Sequence, residues 1–185
     1  PVTRLMGIIN ITNDSFFAGS RSVTCQAALE KAARHLEEGA DFLDLGAASS
    51  RPGAQVSNPE EEWLSLKPVL HEIRSAFPKA WISVDTYHAS VAQKAVDAGA
   101  DLINDVSGGG LDPEMLPWIA SSKTPFILMD MRGEPANMQQ QTHYEELLPD
   151  IIREMAVKVN RLRMGGHANL VVDPGFGFSK ELTQN

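Results

Sequence analysis

Glu38-Gly-Ala-Asp-Phe-Leu-Asp44 and, later in the chain, Ala98-Gly-Ala-Asp-Leu-Ile-Asn104 write the same transition twice. In each, a glycine stands where a helix stops, an apolar pair starts a strand, and a polar residue follows that pair toward the strand end. Outward from these phrases, short apolar runs alternate with longer amphipathic ones. The expected strands are Leu5–Asn10, Phe42–Gly46, Trp81–Asp85, Leu102–Asp105, Phe126–Met129 and Leu170–Asp173. The expected helices are Gln26–Glu38, Glu60–Ala76, His88–Ala98, Pro113–Ala120 and a long one near Tyr144–Met164. This alternation is the mark of βα units around a parallel sheet. Six units without a change of pattern favour a (β/α)₈ TIM barrel over a doubly wound sheet. Residues 1–185 are therefore expected to form a single α/β domain, the N-terminal part of a TIM barrel. It would hold about the first six βα units, lack the last two, and leave two strand edges open.

Composition narrows the class of protein. At 185 residues, 43% of them hydrophobic and 22% charged, the chain has the make-up of a water-soluble globular protein with a sizeable core. It holds no apolar run near the roughly 20 residues of a membrane helix and no secretory leader. A single cysteine, Cys25, precludes an internal disulfide, and no Cys/His set has zinc spacing. Both features suit the cytoplasm. Sixteen Lys and Arg against twenty-four Asp and Glu give a net charge of −8 with no basic stripe, which argues against nucleic acid as a partner.

In a parallel barrel, chemistry gathers at the C-terminal strand ends and the loops after them. Polar residues occupy nearly all of these ends: Asn10, with Asp14 beyond it; Ser49, Ser50 and Arg51; Asp85; Asn104 and Asp105; Asp130 and Arg132; and Asp173. Each has a plainer alternative. Asp85 equally suits a helix cap. Asp173 before Pro174 reads as a turn residue, and Asn104 as a backbone-bonding loop residue. Arg51 and Arg132 read as solvated loop charges, Gly108–Gly110 as a flexible connection, and the five histidines as structural or surface residues. The functional reading rests on convergence. Two aspartates and an asparagine at strand ends match a flat, donor-rich heterocycle. The Thr12–Ser20 and Ser49–Pro59 loops offer hydroxyls and an arginine to a pyrophosphate, and the segments Thr12–Ser20 and Ala47–Pro59 are expected to be mobile without ligand.

The motifs then resemble a family. Met6-Gly-Ile-Ile-Asn-Ile-Thr-Asn-Asp-Ser-Phe-Phe17, Asp44-Leu-Gly-Ala-Ala-Ser-Ser-Arg-Pro-Gly-Ala54, Ile82-Ser-Val-Asp-Thr-Tyr87, Ala100-Asp-Leu-Ile-Asn-Asp-Val-Ser-Gly108, Leu128-Met-Asp-Met-Arg-Gly133 and Val172-Asp-Pro-Gly-Phe-Gly-Phe178 resemble, in order, the blocks of dihydropteroate synthases. The resemblance implies a transferase of folate biosynthesis that joins 6-hydroxymethyl-7,8-dihydropterin pyrophosphate to 4-aminobenzoate and is the target of sulfonamides. It implies Asp85, Asn104 and Asp173 as pterin-binding polar groups, with Ile103 and Met129 as apolar neighbours. It further implies Asn10 on magnesium and pyrophosphate, and Ser50 and Arg51 on pyrophosphate. Phe16, Ser50, Pro52 and Phe178 would contact aminobenzoate. Asp85, Ser50 and Arg51 are the catalytic candidates, Mg²⁺ the cofactor, and a homodimer the assembly of the full-length protein.

Three positions depart from the family pattern: Asn13 for proline, Ala48 for glutamate, and Asp130 for the histidine between two methionines. The family's Ser-Arg-Lys block and final Arg-x-His are not found up to Asn185, so this chain alone is expected to have little activity. Two rivals remain: a pterin-binding methyltransferase that passes a methyl group from methyltetrahydrofolate to a corrinoid, and a catalytically silent paralogue acting as a binding protein.

Overall fold

The computed structural model describes residues 2–11, 18–48 and 56–185, and for 18–23 the backbone alone. Six strands, β1 (Met6–Asn10), β2 (Phe42–Gly46), β3 (Trp81–Asp85), β4 (Leu102–Asp105), β5 (Phe126–Met129) and β6 (Leu170–Asp173), alternate with helices. The helices are α1 (Ala18–Glu37), α2 (Pro59–Ala76), α3 (Ala89–Asp97), α4 (Met115–Ser122) and α5 (Leu147–Met164). The strands hydrogen-bond in the order β1-β2-β3-β4-β5-β6. Five of the six have the bounds expected from sequence, and β1 starts one residue later. The largest correction is α1, which starts at Ala18 rather than Gln26 and takes in the end of the expected Thr12–Ser20 loop. Gly19, Ser20, Ser22 and Thr24 are weak helix formers, but propensity is a weak prior that tertiary context overrides.

The chain forms two compact units. The first carries β1 to β3, α1, α2 and most of α3, and reaches Ile103 in β4. Its strands pair in parallel, with Met6 opposite Phe42 and Phe42 opposite Trp81. Helix α2 begins where Asn58 accepts hydrogen bonds from the Glu60 and Glu61 amides, ahead of three acidic residues that suit the positive helix end. Its inward stripe of Leu66, Val69, Leu70 and Ile73 is almost wholly buried, as are Leu43, Leu45, Ile82 and Val84.

The repeated phrase has a structural meaning in this unit. Gly39 and Gly99 both have positive φ, 97° and 104°, which ends each helix at little cost for glycine. Two residues on, each aspartate exchanges bonds with the preceding strand. The Asp41 amide donates to Leu5 O and its carboxylate accepts from Leu5 N; the Asp101 amide donates to Ile82 O and its carboxylate accepts from Ile82 N. Each carboxylate also holds an arginine, Arg4 on Asp41 and Arg74 on Asp101. The motif thus pins a new strand in register with its neighbour.

The second unit takes in Tyr87–Ala89 and everything from Asn104 onward. Strands β5 and β6 pair in parallel, Phe126 opposite Leu170 and Met129 opposite Asp173. All of β5 is buried, whereas Val171 and Val172 of β6 are 58% and 53% exposed, as expected for a strand at the end of the sheet order. Helix α5 begins at Leu147, later than the expected Tyr144. Tyr144 packs against loop residues instead, and the Asp150 carboxylate accepts the Glu145 amide at 3.0 Å.

Candidate functional site

In the first unit, parallel pairing sets Asn10 opposite Gly46 and Gly46 opposite Asp85, so the C-terminal ends of three adjacent strands lie side by side. Asn10 is exposed and Asp85 half-buried. Both therefore stand where a ligand can reach them, while Ile103 is fully covered.

In the second unit, Asn104 is half-buried at the end of β4. The next residue does the structural work. Asp105, fully buried, accepts from Ser107 N (2.8 Å), Ser107 Oγ (2.7 Å) and Gly109 N (2.7 Å). Burial raises its pKa, and these bonds and the Lys158 charge oppose that rise. Gly108 has φ 54°, and a Cβ there would run into Met129 O. Gly108–Gly110 is thus a pinned turn against the end of β5 rather than a flexible connection.

Across β5 and β6, Met129 is buried beside Asp173, whose Oδ1 accepts the Gly175 amide at 2.8 Å. The turn reading of Asp173 therefore holds for one oxygen; among the described residues Oδ2 takes no hydrogen bond. Phe178 is half-buried just beyond. Asp130 is 2% exposed and pairs with Lys180 Nζ at 3.1 Å. Arg132 is not a solvated loop charge. Its guanidinium lies 3.8 Å from the centroid of the Tyr144 ring, binds both oxygens of Glu154 and donates to His143 O. The Glu154 bonds, ahead of other causes, raise its pKa.

Lys180 and Tyr144 were not singled out in the sequence. The signal for Lys180 was present: an acid at position 130, where the resemblance expects histidine, needs a cation if it is buried. Phe16, Ser50, Arg51 and Pro52, with most of the two loops expected to be mobile, lie outside the described residues. Among the described residues, no group of three or more His, Cys, Asp and Glu side chains is arranged to hold a metal ion, and no helix is long and apolar enough to cross a membrane. Asn10 contributes a single hard amide oxygen. That donor set fits magnesium, which commonly keeps water and substrate phosphate oxygens alongside one or two protein ligands.

The family model described as "Pterin binding enzyme" matches residues 6–185. The chain belongs to this family. It is 41% identical to the folic acid synthesis protein fol1 of Schizosaccharomyces pombe over 97% of its length, and 38% identical to the dihydropteroate synthase of Bacillus subtilis over 99%. The match covers 25% of the first relative and 62% of the second, so this chain spans less than two thirds of either. Among solved structures, dihydropteroate synthase from Yersinia pestis in a sulfonamide complex superposes with a TM-score of 0.88 at 39% identity, covering 98% of this chain and 66% of that one. The enzyme from Xanthomonas albilineans with 7,8-dihydropteroate gives 0.80 at 34% identity, covering 98% and 64%. The six alternating βα units are accordingly those of a TIM barrel of the pterin-binding kind.

Proposed function

We propose that the protein carrying this chain is a dihydropteroate synthase, which condenses dihydropterin pyrophosphate with 4-aminobenzoate to release dihydropteroate and pyrophosphate. The observation that carries the reading is likeness along nearly the whole chain, at 34–39% identity, to structures of that enzyme with 7,8-dihydropteroate or a sulfonamide drug. The strand-end polar residues support it. Asp85, Asn104 and Asp173 are half-buried, so each loses water on binding a ring and gains a directional partner in return.

In the reaction, the C–O bond from the pterin methylene to pyrophosphate breaks and leaves a cation delocalised into the ring. The aminobenzoate nitrogen then bonds to the methylene carbon and gives up a proton. Asp85 stabilises the cation electrostatically. Met129 and Ile103, both buried, are the apolar neighbours that back the polar groups meeting the ring, while Phe178, with Phe16, Ser50 and Pro52, receives aminobenzoate. Ser50 and Arg51 hold pyrophosphate. Asn10 would hold magnesium, which when bound neutralises charge on the leaving group. Sulfonamide sensitivity, a homodimeric assembly and a cytoplasmic location belong to the same proposal.

The test is pyrophosphate release by the full-length protein from the two substrates, together with calorimetry of pterin binding. Asp85→Asn, Asn104→Ala and Asp173→Asn should each weaken pterin binding by about 1–3 kcal/mol. Parental affinity in all three would overturn the site. Methyl transfer from methyltetrahydrofolate without pyrophosphate release would favour the methyltransferase, and pterin binding with neither reaction the binding protein.

A further inference from the structure

We propose that Asp130 and Lys180 form a buried charge latch that holds the Asp173–Gly175 turn in its binding geometry, and are therefore positioning residues for the pterin. The inference rests on the pterin role proposed for Asp173.

The pair is enclosed: the Asp130 and Lys180 side chains are 3% and 1% exposed. Lys180 Nζ bonds Asp130 Oδ2 at 3.1 Å and Phe178 O at 3.2 Å, so one ammonium clamps the loop after β6 to the end of β5. Asp130 is fastened to the same turn by its backbone. Its amide donates to Asp173 O at 2.9 Å, and its carbonyl lies so close to Gly175 that a Cβ there would run into it. Gly175, at φ 68°, gives its own amide to Asp173 Oδ1. The chain of contacts thus runs from Lys180 through Asp130 to Gly175 and the Asp173 carboxylate.

A second set of bonds keeps the clamp in register. The Arg132 amide donates to Ser179 Oγ at 3.0 Å, and Tyr144 Oη lies 3.4 Å from the same oxygen. Ser179 has φ 45°, a left-handed conformation that costs a non-glycine residue energy and persists only where its surroundings fix it. Lys180 follows directly, so this bend aims its side chain inward.

A buried ion pair is a poor source of bulk stability, because desolvating two charges offsets most of their attraction. What it supplies is direction. Asp130 also stands where the resemblance expects histidine, so the pair is a feature of this chain's own sequence.

The experiment uses the full-length protein with Asp130→Asn, Lys180→Met and the double variant Asp130→Leu/Lys180→Met. The double variant removes both charges together, a change buried pairs commonly tolerate, so it keeps the test open if a single variant does not fold. Two quantities are read: amide hydrogen exchange at Gly175, and dihydropterin pyrophosphate affinity by calorimetry well below Tm. Folded variants should exchange Gly175 at least about tenfold faster and bind the pterin about 10- to 100-fold more weakly, in line with the cost of a small misplacement. Added to Asp173→Asn, the same substitutions should weaken binding little further, because the latch acts through Asp173. A purely structural pair would lower Tm and leave both readouts of the folded protein near parental. Parental Gly175 exchange in the double variant, or losses that add fully to Asp173→Asn, would overturn the latch. A parent protein that fails to bind the pterin would instead overturn the proposed function, with Gly175 exchange still deciding whether the latch exists.

Discussion

Arg132 stacks on Tyr144, its guanidinium carbon 3.8 Å from the ring centroid, with Glu154 on the same guanidinium. Arginine is planar, so it can lie on a ring and still present its fork to a carboxylate; lysine cannot do both. Arg132→Leu is expected to cost about 2 kcal/mol, and Arg132→Lys about 1 kcal/mol, from the lost stack and the lost fork. Urea unfolding measures both. An unchanged midpoint in Arg132→Leu would return the residue to the solvated charge suggested by its sequence context.

His167 should make stability depend on pH in a stated direction. The ring is buried, Nδ1 has no hydrogen bond among the described residues, and Nε2 lies 3.3 Å from Asn169 O. Burial holds its pKa below 6.5; the Asn169 carbonyl opposes that and the Lys123 charge adds to it. An unfolded histidine takes up its proton near pH 6.5, before the folded one does. Between the two pKa values the unfolded state therefore holds more protons, and stability falls as pH drops from about 6.5 through the folded pKa. His167→Gln should lose less stability than the parent over that interval. Urea midpoints at about pH 7.5 and about pH 5.5 would show it, and parallel losses in both proteins would remove His167 as a cause.

The two aspartates of the repeated phrase should differ in weight. The Asp101 and Asp41 side chains are similarly exposed, 31% and 26%, but Arg74 is only 24% exposed where Arg4 is 65%. Arg74 also donates to Gly99 O and Ala80 O, which ties two helix ends to two strand starts. Asp101→Ala is expected to cost about 2–3 kcal/mol, and Asp41→Ala distinctly less, because its pair is screened by water. Equal unfolding midpoints for the two variants would contradict the difference.

The turn after β4 should tolerate little change. Gly108→Ala combines a positive φ with a collision against Met129 O, and is expected to cost about 1–3 kcal/mol. Asp105→Ala abolishes the acceptor for three hydrogen bonds and should cost at least as much. Thermal unfolding would reveal both, and parental Tm values would mean that the turn is held by something else.

The strand-end placement of several candidate site residues was legible because it follows from local pattern. A short, largely apolar run closes on a polar residue, so Asn10, Asp85 and Asp173 could be set at strand ends from sequence alone. Helix starts were less legible. Helix α1 runs through residues of low propensity, and α5 yields its expected first residues to a loop contact, because both ends are decided by packing the local sequence does not encode.

The sequence by itself determined the βα order, the strand bounds but for the start of β1, the repeat of the helix-to-strand phrase and the family to which the chain belongs. Each depends on residues near one another or on motif identity. Only the tertiary structure decided that Lys180 pairs with Asp130, fifty residues away, that Arg132 lies on Tyr144, and that Asp105 rather than glycine flexibility shapes the Gly108–Gly110 turn. Those contacts depend on which side chains the folded backbone excludes from water, and burial is a property of the whole fold: an aspartate solvated in the unfolded chain needs no partner, whereas the same aspartate at 2% exposure does.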